Sequence, residues 1–149
     1  MSFETQGDFE SRVRASFARQ GLMESFGAKM SEVAAGETVI ELGFADHLTQ
    51  QHGFLHAGVI TSVMDSAAGF AAMTVMPEAA EVLTVELKSS LMRPAAAARF
   101  RVEGRVLKAG RSIIFTEAHA YGLDSGQSRL IAHLTASMMV IEGRDGVSG

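Results

Sequence analysis

Residues 51–76 read QHGFLHAGVITSVMDSAAGFAAMTVM. From Leu55 to Met76 almost every side chain is apolar or small, and a single carboxylate, Asp65, stands at the centre. The run is too long for a strand and Pro77 follows it, so the pattern predicts a helix from about Ala57 to Thr74. Its length also raises a membrane span. Asp65, His56, Thr61, Ser62 and the neighbouring glycines oppose one, because charge facing lipid is costly. A helix this apolar must instead be covered by protein nearly all round.

The cover has to come from the flanks. Before the helix, Phe9, Val13 and Phe17 recur every four residues and Gly21 follows, which predicts a short amphipathic helix over about 8–20. Lys29 to Val33 and Thr38 to Phe44 read as two strands joined around Ala35-Gly36, and Ala45 to Phe54 as a polar loop. After the helix come four strand-like runs: Glu81 to Met92, Arg99 to Lys108, Ser112 to Leu123 and Arg129 to Ile141. Arg93-Pro94, Ala109-Gly110 and Asp124-Ser125-Gly126 separate them with turn chemistry. The tail, about residues 143–149, is expected to be disordered. This order predicts an α+β hotdog fold, one domain over residues 1–149, with a long central helix wrapped by a curved antiparallel sheet. The helix face that the sheet leaves bare calls for a second copy, giving a homodimer or a dimer of dimers (a homotetramer).

Composition narrows the classes. The chain has 149 residues, 47% hydrophobic and 20% charged, a globular balance. It has no cysteine, which excludes disulfides, thiolate metal sites and a cysteine nucleophile. The start, MSFETQGDFE, is acidic and has no apolar core of a signal peptide, so a cytoplasmic location is expected, with no membrane partner. A net charge of −4 does not suggest a nucleic-acid binder. Yet Lys88, Arg93, Arg99, Arg101, Arg105, Lys108 and Arg111 face one acid, Glu103, over residues 88–111. Alternation explains Arg99, Arg101 and Arg105 as a solvated strand face; an anionic small ligand is the other reading.

The chemistry concentrates where the long helix begins. A helix N-terminus presents unpaired N–H groups and a positive dipole end, which together can hold a developing oxyanion. Here His56 precedes it and Ala57-Gly58 open it, small residues that let a ligand approach the backbone. Asp65 lies eight residues on, about 12 Å along the axis, too far to serve one carbonyl with the Ala57 N–H of the same chain. Two such helices side by side and antiparallel would bring the Asp65 of one near the Ala57 N–H of the other. The plain alternative is an aspartate that bonds locally. Aspartate is a poor mid-helix residue and is rarely buried without a partner, which favours the catalytic reading.

The segment QQHGFLHAGVITSVMDSAAG resembles the active-site segment of the PaaI-like hotdog thioesterases, a family with an Asn, a His-Gly-Gly six residues later and an Asp on the helix. The resemblance runs from about residue 28 to 141, through TVELKSSLMRPA and VLKAGRSIIF. It implies hydrolysis of an acyl-CoA thioester, with no cofactor and no metal. Position by position, Asp65 falls on the catalytic carboxylate, acting as general base or nucleophile. Ala57 falls on the glycine whose N–H polarises the thioester carbonyl, with His56 before it, and Gln50 on the asparagine that places substrate or water. Thr84 falls on a hydroxyl position that can hold the water. Lys108, Gly110 and Arg111 fall where the coenzyme A phosphates lie in the family, and Arg93 is grouped with them as a candidate. The chain departs from the pattern in having His-Ala-Gly for His-Gly-Gly and Gln for Asn. A methyl group at 57 leaves its N–H available; the longer amide at 50 shifts its polar group by about one bond, with Thr49 and Gln51 as neighbours able to share the role.

Two further features have ordinary readings. His52 and His56 are four apart, but Gly53 between them points to a loop, and no metal site is expected. The nine methionines, Met64, Met73, Met138 and Met139 among them, read as core filler, with a few available to line an acyl tunnel. Besides a thioesterase for small to medium aliphatic or aromatic acyl-CoA, two functions stay open: a hotdog enoyl-CoA hydratase or dehydratase using His56 and Asp65, and a module that binds acyl-CoA without cleaving it.

Overall fold

The central helix is where the chain places its most apolar residues, and everything else packs around it. The computed structural model describes residues 2–143 and residue 146. Two short helices open the chain, α1 (Phe9–Phe17) and α2 (Gly21–Ser25). Two strands follow, β1 (Lys29–Ala34) and β2 (Glu37–Gly43), then a 3-10 turn at Asp46–Leu48. The long helix α3 spans Ala57–Met73, seventeen residues. Four strands close the fold: β3 (Glu81–Leu91), β4 (Arg99–Ala109), β5 (Ile113–Asp124) and β6 (Gln127–Ile141). The strands form one antiparallel sheet in the order β1-β2-β4-β5-β6-β3. This is the hotdog arrangement expected from the sequence. Most of the expected tail, residues 143–149, lies outside the described residues.

The N-terminal helical segment differs from the expected single helix over 8–20. Asp8 caps α1 by accepting from the Ser11 N–H at 3.1 Å, but the helix stops at Phe17. Gln20 is extended, and Gly21 opens α2 rather than closing α1. Buried Met23 pins the second helix to the core, which a four-residue period in α1 could not announce. Arg12 projects from α1 onto the far end of α3. Its guanidinium donates to Met73 O at 2.6 Å, Pro77 O at 2.8 Å and Met76 O at 3.3 Å. A cation at a helix C-terminus satisfies carbonyls that the helix itself leaves unpaired.

The sheet meets α3 through alternate residues, as a half-buried strand requires. Phe100, Val102, Ala118, Ala120, Ala132, Leu134, Ala136 and Met138 are buried on the helix side. The closest approach is at β4. Thr38 and Gly104 stand opposite each other on β2 and β4, and the Thr38 hydroxyl donates to Ala67 O at 2.8 Å. A Cβ added at Gly104 would lie 2.3 Å from both the carbonyl carbon and the oxygen of Ala67. Only glycine permits that approach. Met64, Met73 and Met138 are fully buried as core filler, while Met139 lies on the outer face of the sheet at 37% exposure.

Candidate active site

Helix α3 is bare along one side of its N-terminal half. Ala57 and Gly58 are exposed, and Thr61, Ser62 and Asp65 are half-buried, while the rest of the helix is almost wholly covered. This strip and the adjoining edge strand β3 hold Ala57, Asp65 and Thr84 of the expected catalytic residues, while His56 caps the helix and Gln50 lies in the preceding loop.

Asp65 meets Thr84. The Thr84 hydroxyl donates to Asp65 Oδ1 at 2.8 Å, and the same hydroxyl lies 3.4 Å from Met138 Sδ. The contact depends on a bulge: the β3–β6 register shifts between Thr84 and Glu86. Thr84 stays opposite Met138 on the helix side, and Glu86 turns outward to accept from the Ser137 hydroxyl at 2.7 Å. Desolvation pushes the Asp65 carboxyl above the ordinary aspartate range, and the Thr84 hydrogen bond pulls it part of the way back. Among the described residues only Oδ1 accepts a hydrogen bond, and a carboxylate with a raised pKa is a stronger base than an exposed one.

The helix N-terminus is built as its residues suggest. His56 is the N-cap, and its Nδ1 accepts from the Gly58 N–H at 2.8 Å. The Ala57 N–H finds no acceptor among the described residues, so the donor proposed for an oxyanion is available. The preceding loop is drawn tight by Gln50 N–H donating to Phe54 O at 2.9 Å and Leu55 N–H to Ala95 O at 3.1 Å. The Gln50 side chain folds back within this loop and accepts from the His52 N–H; it does not meet Asp65. Thr49 donates to Asp46 O at 2.7 Å, which uses its hydroxyl locally.

The basic residues divide. Lys108, Gly110 and Arg111 share the β4–β5 hairpin, where Gly110 N–H donates to Ile113 O at 3.0 Å. A Cβ at Gly110 would lie 2.5 Å from that same oxygen, so the turn requires glycine. Arg93 is at the other end of the sheet, donating to Leu130 O at 2.7 Å beside a cavity of about 270 Å³ lined by Phe54, Asp124 and Arg129. Within one chain it cannot join Lys108 and Arg111. Arg99, Arg101 and Arg105 pair with Glu41, Glu32, Glu103 and Glu117 on the outer face, the solvated strand face that alternation predicts.

Sequence reasoning missed Gln20 and Ser66. The Ser66 hydroxyl donates to Gln20 Oε1 at 2.9 Å, and with Gly69, Phe70, Val82 and Leu83 they line a cleft of about 210 Å³ that reaches Asp65 and Thr84. Gln20 sits in the break between α1 and α2, which has no periodic signal.

Comparison with known proteins agrees with this architecture. The profile described as thioesterase superfamily matches residues 52–128. A thioesterase family protein of Silicibacter pomeroyi, of known structure, is 42% identical, superposes with a TM-score of 0.89, and covers 91% of this chain and 99% of its own. A Saccharolobus solfataricus protein bearing an esterase name is 35% identical over 89 residues, 60% of this chain and 63% of that protein's length. The PaaI protein of the E. coli phenylacetic acid degradation operon superposes with a TM-score of 0.82 at 15% identity, covering 91% of this chain and 94% of its own. At that identity the likeness is one of fold.

Proposed function

The chain belongs to the thioesterase superfamily, of PaaI-like hotdog type, and from that premise we propose that it hydrolyses the thioester of a small to medium acyl-CoA, aliphatic or aromatic. The observation that carries the reading is a half-buried carboxylate with a raised pKa, positioned by a hydroxyl, on the same bare strip as a free helix N-terminal N–H.

The working unit is a homodimer, alone or within a dimer of dimers. Strand β3 is an edge strand, and Leu83 and Val85 are 48% and 54% exposed on it. An unpaired edge with apolar side chains is a template for another strand. Helix α3 runs antiparallel to β3, with Thr61 bonded to Ser89 at 3.0 Å and Asp65 to Thr84. Pairing β3 with its copy about a two-fold axis turns the α3 N-terminus of one chain toward the Asp65 of the other. The same operation carries the Arg93 end of one chain toward the Lys108–Arg111 hairpin of its partner.

In that site the Ala57 N–H polarises the thioester carbonyl. Asp65 Oδ2 takes a proton from water as the water oxygen attacks the carbonyl carbon. Collapse of the tetrahedral intermediate breaks the C–S bond, and the coenzyme A sulfur leaves as thiolate and is protonated from solvent. Gln50 and Thr84 position water and substrate, and Lys108, Gly110 and Arg111 receive the phosphates. Capping engages His56 Nδ1, which leaves only Nε2 for the proton transfer that the hydratase alternative needs. The test is free-thiol release across a panel of saturated, aromatic and enoyl acyl-CoAs. Release from several saturated or aromatic thioesters is expected; intact thioester with hydration of the enoyl group, or bound ligand without turnover, would refute the reading.

A further inference from the structure

The outer face of the sheet carries a cluster that hydrolysis leaves unused. Glu117 and His119 alternate on β5, and His133 stands directly opposite His119 on β6. Their neighbours Ala118, Ala120, Ala132 and Leu134 are buried toward α3, so these three point the other way, to the face of the sheet remote from Asp65. We propose that Glu117, His119 and His133 form a binding site for a divalent transition-metal ion, with zinc the best match.

The donors already converge. His133 Nε2 lies 2.9 Å from Glu117 Oε2. The rings of His119 and His133 stack with centroids 4.5 Å apart and planes 30° apart, which sets the two imidazoles side by side. One donor atom from each of the three residues lies within 4.8 Å of the others. Bonds of about 2.0–2.2 Å to a tetrahedral ion place donors roughly 3.4 Å apart. The Glu117–His133 pair is already within that separation, and any wider gap would have to close by at most about 1.4 Å through rotation of the half-exposed rings. Two imidazoles and one carboxylate suit zinc and its first-row neighbours and leave positions open for water.

The surroundings favour ligation over a plain ion pair. The Glu117 side chain is only 12% exposed, and Arg105 Nε donates to its Oε1 at 2.5 Å. That bond fixes the carboxylate with Oε2 toward the histidines, as outer partners orient metal ligands elsewhere. The Arg105 charge opposes a cation, but its side chain is 56% exposed and is screened by water. Glu103, opposite His119, is held by Arg101. Neither ring nitrogen of His119 finds a hydrogen-bond partner among the described residues.

The site is tested by titrating cobalt(II) into full-length chain freed of metal with EDTA. Saturation at one equivalent per chain is expected, with a visible d–d band that zinc displaces and a higher melting temperature in zinc than in EDTA. His119→Ala and His133→Ala should each weaken binding at least about tenfold, as should Glu117→Gln, which keeps the shape of the site if an alanine variant unfolds. His52→Ala should bind as wild type. Thioester hydrolysis should be unchanged by EDTA, since Asp65 lies on the other side of the sheet. No saturable binding below about 100 μM metal, or binding undiminished in the Glu117 and histidine variants, would overturn the assignment.

Discussion

Gly104→Ala is the most informative single test of how the fold holds its site. The added Cβ would fall 2.3 Å from Ala67 C and O and 2.7 Å from Ala68 N. These are backbone atoms of a helix and cannot swing aside. Ordinary contact begins near 3.4 Å, so α3 must retreat by about 1 Å. Overpacking of this kind costs about 1–3 kcal/mol, and more where the obstacle is backbone. The same retreat stretches the 2.8 Å Thr38–Ala67 hydrogen bond, worth about 1 kcal/mol. The expected loss is about 3–4 kcal/mol against a total of about 5–15 for a domain of this kind. At about 2–4 °C per kcal/mol, the melting temperature should fall by roughly 6–16 °C. Thioester hydrolysis should fall as well, because Asp65 is two residues from the displaced carbonyl. Urea and thermal denaturation measure the first effect, with Gly69→Ala as control, since its Cβ would meet only the tip of Met138 at 4.0 Å. A loss below about 0.5 kcal/mol would show that the helix does not rest on β4 in this way.

Asp65→Asn should keep the fold and lower kcat by on the order of 10²–10⁴, the range for loss of a general base; wild-type turnover would sink the mechanism. The raised pKa of Asp65 means that the folded chain holds this proton more tightly than the unfolded one, so the stability it contributes is full below the ordinary aspartate value and lost as pH rises through the raised value. The Asn variant should therefore melt higher than wild type at neutral pH, with the gap closing on acidification. Lys108→Ala and Arg111→Ala should raise KM for acyl-CoA more than they lower kcat, and less so at high salt; an equal rise for an acyl-pantetheine without the nucleotide would refute a phosphate role. Refolding Asp65→Asn together with a variant blocked at Ala57 should restore roughly a quarter of wild-type activity when half the dimers are mixed, because each mixed dimer regains one intact site. No recovery after proven chain exchange would place both halves of the site in one chain.

The long helix and the strands were legible because their periods are strong and their breaks carry turn residues; Ser125-Gly126, with φ of 44° and 79°, is the hairpin turn that such a pair specifies. Asp65 stood out by its charge in an apolar run, and alternation alone accounts for the Arg99–Arg101–Arg105 face. What stayed hidden depends on contacts distant in sequence. Gln20 reaches Ser66 across 46 residues, from a break that carries no pattern. Arg93 and Arg111 lie near each other in composition, yet the strand between them carries them to opposite ends of the sheet. Glu117 and His119 share a face by spacing, but His133 joins them only through the β5–β6 register.

The seam of Ala67, Ala68, Ala71 and Ala72 against the sheet has a consequence for how the enzyme can change over evolutionary time. With small residues drawn close and Met64, Met73 and Met138 filling the remainder, the core around α3 is closely filled. Open space lies at the surface instead, in the cleft walled by Gln20, Val82 and Leu83, none of which is deeply buried. Val82 packs against the core and Leu83 lies on the β3 edge, so Gln20 is the wall position where substitution can reshape the cleft while the scaffold stays fixed; under the proposed reading the preferred acyl group would drift there. A panel of such variants is a practical route to new substrates, and the core is the place to leave alone.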